Sequence, residues 1–532
     1  MLRCLMQKGK NMKKRLKIVY IVPCLWLLFG ILWLVWYHVV KGQLMLDSDM
    51  SSEMILSDIL NKEHSVLSKN WIYSTELRFL NTQWLYRVGL LLFPWNWHLA
   101  RIFSMFLGIL LLAFAAWLCF YAAGRPLAGI WAAAFTIFPG GSWYFWQTLY
   151  GGHYLPYILI SLFSFAMILI SCSRPVLSVK GIVMLLSIVM LGLASGLNGI
   201  KQLMVFYAPL TISAAAAFLY ELHRAALSKE KESIFGLKGF RFLILSLLAT
   251  VFSFAGYLIN TGYLSGLYYF QSFDEQRISQ GSFIDLLKQF ILCYGFADDK
   301  LLVSGQGIAA MCGVTFGLLV ILSGIRLLFR YKRLGFEERI VAAVSLFSII
   351  FCAFIFSYVG GEIQYFQPVL PFGIFLVVLE LETEEFAMKK SSFAALNIAG
   401  IVLLAASLGT VYNEEHEPFH AYRAQPQLNT VVKWLCAQGY EDGVSLFWTS
   451  NIVTDLSDGQ IDMWTLNPMD EDISWYRWLQ RYDHMDSFPQ GRYFFLFCNN
   501  EAESEPVNFL FLQKHPELVP IYQDDFYTVY GD

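Results

Sequence analysis

The sequence predicts an α-helical polytopic membrane protein of about 11 transmembrane helices, closed by a small C-terminal α/β soluble domain. Three observations carry this. The 532 residues are 57% hydrophobic and only 15% charged, whereas soluble domains run near a quarter charged. Apolar runs of bilayer-crossing length recur along the chain. Charge is also divided. From Asn413 onward there are 20 acidic and 6 basic residues, net −14, while the rest carries 32 basic and 21 acidic, net +11. A basic membrane part with an acidic tail points to two compartments, and not to nucleic acid.

Residues 1–17 hold Arg3, Lys8, Lys10, Lys13, Lys14, Arg15 and Lys17 with no acid. The apolar run 18–40 that follows is longer than a signal-peptide core and ends in bulky residues, so it reads as an uncleaved first span. The positive-inside rule places the N-terminus in the cytoplasm. The loop 41–97 then emerges outside. In it Met50, Met54, Ile55 and Ile59 have helical spacing, and 77–93 reads as an amphipathic stretch along the surface. Further spans are expected at 98–121, 127–147, 154–171, 180–197, 202–220, 240–261, 306–328, 340–358, 365–380 and 392–411. Arg125, Arg174 and Lys180, the basic residues of 224–241, and those of 326–339 fall on cytoplasmic turns of this scheme. An odd number of spans leaves the tail outside. The chain thus divides into a membrane domain, 1–412, with outer loop 41–97, and an extracytoplasmic α/β domain, 413–532. In the tail 428–438 and 507–514 read as helices, and 444–448, 460–466, 492–498 and 526–530 as strands. Cys436 and Cys498 form a candidate pair whose geometry a sequence does not set.

The outer loop concentrates the chemistry. It opens with Asp47-Ser48-Asp49-Met50-Ser51-Ser52-Glu53 and closes with Trp71-Ile72-Tyr73-Ser74-Thr75-Glu76-Leu77-Arg78. Acids beside a bilayer are costly to desolvate and need a reason. An Asp here can deprotonate an acceptor hydroxyl, an Asp-x-Asp pair can hold a divalent cation, and an Asp can simply N-cap the Met50 helix. Lys201 and Arg78, then Arg87, Arg101 and Arg277, are outer cations suited to a phosphate. His153, in Gly151-Gly152-His153-Tyr154, lies on the same outer side, as do Glu362 and Tyr365. Trp71, Tyr73, Trp84, Trp95 and Trp97 read as an interfacial belt. Asp274-Glu275 and Asp298-Asp299 read as solvated loop.

One span, an acid-bearing outer loop with surface helices and then a ladder of spans resembles the GT-C fold glycosyltransferases. These include protein O-mannosyltransferases, aminoarabinose transferases and oligosaccharyltransferases. The stretches Asp49–Glu53 and Trp71–Arg78 look like bacterial members. Gln364-Tyr365-Phe366-Gln367-Pro368-Val369-Leu370-Pro371 is similar to the family's Arg-Tyr-x-x-Pro stretch, with Gln364 where an Arg often stands. The resemblance implies an inverting transfer of a hexosyl or pentosyl unit from a polyprenyl-phosphate donor to a cell-envelope glycan or protein. It makes Asp49 the base and Asp47 the alternate, with Asp47, Asp49 and Glu53 the ligands if a divalent cation is used. Glu53, Glu76, Arg78, His153, Lys201, Glu362 and Tyr365 become substrate-binding candidates. The lack of any Asn-x-Ser/Thr sequon favours a bacterial source. Two other readings are a flippase of lipid-linked sugars and a non-catalytic scaffold of envelope polysaccharide assembly. Charge-poor spans without an inverted repeat argue against the flippase.

Overall fold

The computed structural model describes residues 2–74, 77–138, 140–172, 178–228, 233–270, 283–297, 300–359, 363–382, 390–416, 426–468, 472–499 and 505–532. The chain forms two compact units. One comprises 1–34, 108–258 and 275–416, and the other 35–107, 259–274 and 417–532.

The first unit is helical. Among the described residues, nine helices of the whole chain are long and apolar enough to cross a membrane, and Pro126–Thr136 and Tyr365–Leu381 are shorter apolar helices. Pro126–Thr136 falls short of the span expected at 127–147, whereas Tyr365–Leu381 covers the segment expected at 365–380. The first gives way to Gly140-Gly141, where a Cβ on Gly141 would come within 2.6 Å of the Cys293 and Leu292 carbonyl oxygens. The second opens with a 3-10 turn, Ile363–Val369, that contains Pro368 and becomes α-helical only at Leu370–Leu381, because proline removes a donor and crowds the preceding turn. Two π-helical turns interrupt the unit, Phe145–Tyr150 and Leu203–Tyr207.

The second unit joins loop 41–97 to the tail. Helix α1 (Leu2–Lys41) leads into α2 (Ser48–Lys62). Strand β1 (Ile72–Tyr73), helix α3 (Gln83–Leu92) and helix α4 (Trp97–Ala122) follow. Strand β2 (Tyr269–Phe270) lies parallel to β1. The tail supplies a mixed five-stranded sheet of β3 (Asp442–Leu446), β4 (Asp462–Leu466), β5 (Tyr493–Cys498), β6 (Val519–Gln523) and β7 (Tyr527–Gly531), in the order β4-β3-β5-β7-β6. β3 pairs parallel with β4 and β5, and β7 antiparallel with β5 and β6.

Period-two alternation sorts the core. Phe494 and Leu496 pack on one side with Leu428, Val431 and Leu435 of helix Pro426–Ala437. Phe495 packs on the other with Val507 and Phe511 of helix Glu505–Lys514. Leu46 of loop 41–97 belongs to the first of these cores.

Two tail elements differ from the sequence expectation. The strand expected to run to Trp448 ends at Leu446, and helix Phe447–Leu456 starts there. Strand β6 was not expected, because Pro520 interrupts its pattern. Cys436 and Cys498 are free thiols.

Candidate active site

The carboxylates sit at the start of α2. Asp47 is its N-cap, with extended backbone (φ −122°, ψ 170°) and Oδ1 accepting the Met50 N–H at 2.7 Å. One of the helix's orphan donors is thereby satisfied. Replacing Asp47 by Ala is expected to cost about 1 kcal/mol of stability, as lost caps do. Asp47→Ser should recover most of it, and thermal unfolding of the purified protein reads both.

Asp49 and Glu53 are four residues apart and so share one face of α2. Glu53 is buried, and its Oε1 accepts from Asn81 Nδ2 at 2.7 Å. Asp49 is half-buried. Its carboxyl is pushed up to about 7, first by burial, then by the Asp47 charge, against the pull of Arg78 and with a smaller push from Glu53. Burial also raises Glu53, opposed by Arg78 and by the Asn81 amide. The segment carrying Arg78 is fixed by its backbone. Leu77 O accepts from Asn260 Nδ2 at 2.7 Å, and Arg78 O accepts from Gln83 Nε2 at 3.1 Å. The result is two carboxylates, Asp49 and Glu53, that feel one guanidinium, with Asp49 poised to titrate near neutrality.

The tail supports this helix. Ser48 Oγ donates to Phe447 O, and Asn451 Nδ2 donates to Ser48 O at 3.5 Å. Asp458 Oδ1 accepts the Trp97 N–H at 2.7 Å, at the start of α4. Arg101 of α4 makes a fully buried ion pair with Asp455. Tyr476, whose ring meets Phe447 edge-on at 5.5 Å, feels the Asp49 charge, and burial and that charge raise its hydroxyl. None of Asn81, Asp455 or Tyr476 stands out in the sequence. Asp455 lies one residue before the end of helix Phe447–Leu456, and Ile452, Val453 and Leu456 around it are the signal that could have marked that helix.

Several expectations fall differently. Arg87 is committed to structure, donating to Asn61 Oδ1 at 2.9 Å and Ser65 O at 2.8 Å and lying 4.9 Å over Trp84. Arg101 is likewise held by Asp455. Neither is open to a phosphate. Trp71, Tyr73 and Trp97 are core residues and no interfacial belt, while Trp95 is exposed. They are buried because the tail and loop share one unit. Glu76, Glu362, Arg277, Asp274, Glu275, Asp298 and Asp299 lie outside the described residues. Among the described residues no group of three or more His, Cys, Asp or Glu is arranged to hold a metal ion.

The first unit brings together Lys201 and Tyr365. Lys201 Nζ lies 4.9 Å from the Tyr365 ring centre, 5.1 Å from Tyr154 and 5.6 Å from Tyr157. Three ring faces hold the ammonium by cation–π attraction. The cage is itself fixed. Tyr365 stacks on Phe356 at 4.9 Å, and Gln202 Nε2 donates to Tyr157 O at 2.6 Å. His153 is buried beside Tyr154, after Gly152 at φ +77°. The two π-helical turns flank this cluster in sequence, on the far side of Lys201 and just ahead of Gly151. π-turns recur at functional positions.

The fold is that of the GT-C membrane glycosyltransferases. Among solved structures the chain is similar to ArnT, the aminoarabinose transferase from Cupriavidus metallidurans. For ArnT bound to undecaprenyl phosphate the TM-score is 0.55 at 12% identity, covering 96% of this chain and 97% of that one. For its apo state the TM-score is 0.56 at 12% identity, over 94% and 96%. The Archaeoglobus fulgidus oligosaccharyltransferase in the apo form matches with a TM-score of 0.48 at 12% identity, over 83% of this chain and 64% of that one. No family model matches the sequence, and no curated protein does.

Proposed function

We propose that this protein is a membrane glycosyltransferase that moves a sugar from a polyprenyl-phosphate donor to an extracytoplasmic cell-envelope acceptor. The observation that carries the reading is Asp49, an acid on the α2 N-terminal face with a carboxyl near neutrality beside Arg78. A general base works best with its pKa near the working pH. Asp49 takes the proton of the acceptor hydroxyl as that oxygen attacks the anomeric carbon. The bond to the donor phosphate breaks on the opposite face, so configuration inverts. Asp47 is the poorer base, because Oδ1 is spent on the cap. Arg78 and Glu53 set the charge around Asp49. In the first unit, Lys201 in its tyrosine cage is the substrate-binding residue that the resemblance implies. The undecaprenyl phosphate bound to the similarly folded ArnT supports a lipid of this class. In this reading the N-terminus is cytoplasmic, and residues 413–532 form an outer domain.

The test is transfer of label from a radiolabelled polyprenyl-phosphate hexose or pentose. Protein in lipid vesicles is given membrane extract as acceptor. Wild type is expected to transfer. Lys201→Ala is expected to raise KM for the donor about tenfold, the scale of one lost hydrogen bond to a charged group, with kcat changed less. No transfer from any of several donors would end the transferase reading. An unchanged donor KM would remove Lys201 from donor binding.

A further inference from the structure

The second unit holds another cleft, built from none of the residues above that surround Asp49. Its volume is about 260 Å³. It opens on the far side of α2: Asp58 and Lys62 lie about 180° and 220° round the helix from Asp49, at 3.6 residues per turn. One wall comes from α2, where Asp58 pairs with Lys62 at 2.7 Å and Ile59 supplies aliphatic surface. The other comes from the tail and from Asn70. Arg481 places Nη1 2.7 Å from Asp462 and Nη2 2.6 Å from Asp483. Asn70 Nδ2 donates to Asp483 at 3.0 Å and Asn70 Oδ1 accepts the Asp483 N–H at 2.9 Å.

We propose that this cleft binds a neutral saccharide unit. The size fits about one sugar ring, since it falls below the roughly 300–1,000 Å³ of pockets for drug-sized ligands. The charge disfavours an anionic guest and suits a neutral one: Lys62 and Arg481 are already matched by Asp58 and Asp462, and Glu63 adds one further carboxylate to the lining. The chemistry fits hydroxyls. A carboxylate accepts from a hydroxyl, and a guanidinium, ammonium or amide donates to it, so each sugar O–H meets a donor or an acceptor. Ile59 and Ile461 offer aliphatic contact to the C–H face of a ring. The polar groups hold one another in place before any ligand arrives, so little side-chain freedom is lost on binding. Such a site holds a glycan at a distance from the transfer chemistry.

The experiment is saturation-transfer difference NMR on the full chain in lipid nanodiscs, which avoids sugar-headed detergents. The probes are the methyl glycosides of glucose, galactose, mannose and N-acetylglucosamine, with inorganic phosphate as a separate competitor. At least one glycoside is expected to give signal. Ile59→Trp, which fills the cleft, should abolish it. Asp58→Ala, at a partly solvent-open side chain, should weaken it about tenfold, the scale of one charge-assisted hydrogen bond. Asp49→Asn should leave binding intact, which separates this site from the transferase reading. The inference is overturned if no glycoside binds, if the signal survives both cleft variants, if it is lost in Asp49→Asn, or if phosphate displaces the sugar.

Discussion

Asp49→Asn is expected to cut sugar transfer by about 10²–10⁴-fold, the contribution of a positioned general base, while leaving the donor KM close to that of wild type. Asp47→Asn should retain far more activity, because its loss is felt through the helix cap. The wild-type rate has a pH signature. With the Asp49 carboxyl near 7, kcat/KM should fall about tenfold per pH unit below that value and level off above it. Stability should respond in the opposite sense. The folded chain holds the Asp49 proton up to about 7, whereas an unfolded chain releases it near 3.9. The group therefore opposes folding increasingly as pH rises from about 4 to 7. Asp49→Asn should accordingly raise the unfolding midpoint at pH 8 and leave it unchanged at pH 4. Normal transfer by a well-folded Asp49→Asn protein would show that the base lies elsewhere.

Breaking the Arg101–Asp455 pair is expected to be the most damaging single change away from the chemistry. Both side chains are almost wholly buried, and removing one partner strands the other's charge in a dry interior. Such losses run to about 3–5 kcal/mol. Asp455→Ala and Arg101→Met should each yield protein that unfolds at much lower temperature or fails to accumulate. The double variant Arg101→Met with Asp455→Leu should recover most of that loss, because an apolar pair of similar volume replaces an ion pair at little net cost. Additive losses in the double variant would mean that each residue acts through separate contacts. Recovery would show that the pair works as one unit clamping the start of α4 to the tail.

Much of the architecture was legible in the sequence, because membrane spans announce themselves by length and hydropathy. The α2 helix was legible from Met50, Met54, Ile55 and Ile59, and its cap from the Asp at position 47. The two short apolar helices were less so. Their hydropathy matches a full span, and only the glycines after Thr136 mark where the first stops and the prolines at 368 and 371 where the second begins. Asp49 was legible as an acid just past an apolar run, but its raised carboxyl depends on burial that folding supplies, with Asp47 and Glu53 adding to it and Arg78 opposing it. Arg87 and Arg101 look like phosphate ligands in sequence. Their partners, Asn61, Ser65 and Asp455, are supplied by folding, at 26, 22 and 354 residues' separation. A separation of that last size has no local signature.

The same distance along the chain has a consequence for biogenesis. Arg101 is made 354 residues before Asp455, which at about 5–20 residues per second is some 20–70 s of synthesis. Throughout that interval the chain has Arg101, the acids of α2 and the Leu46 side chain but not the tail, which supplies Asp455 and the core that Leu46 joins. Arg101 must wait for the last quarter of the chain before its ion pair can close. A chain that ends before the tail therefore lacks both the Asp455 carboxylate that pairs with Arg101 and the Phe447 carbonyl that accepts from Ser48 at the start of α2.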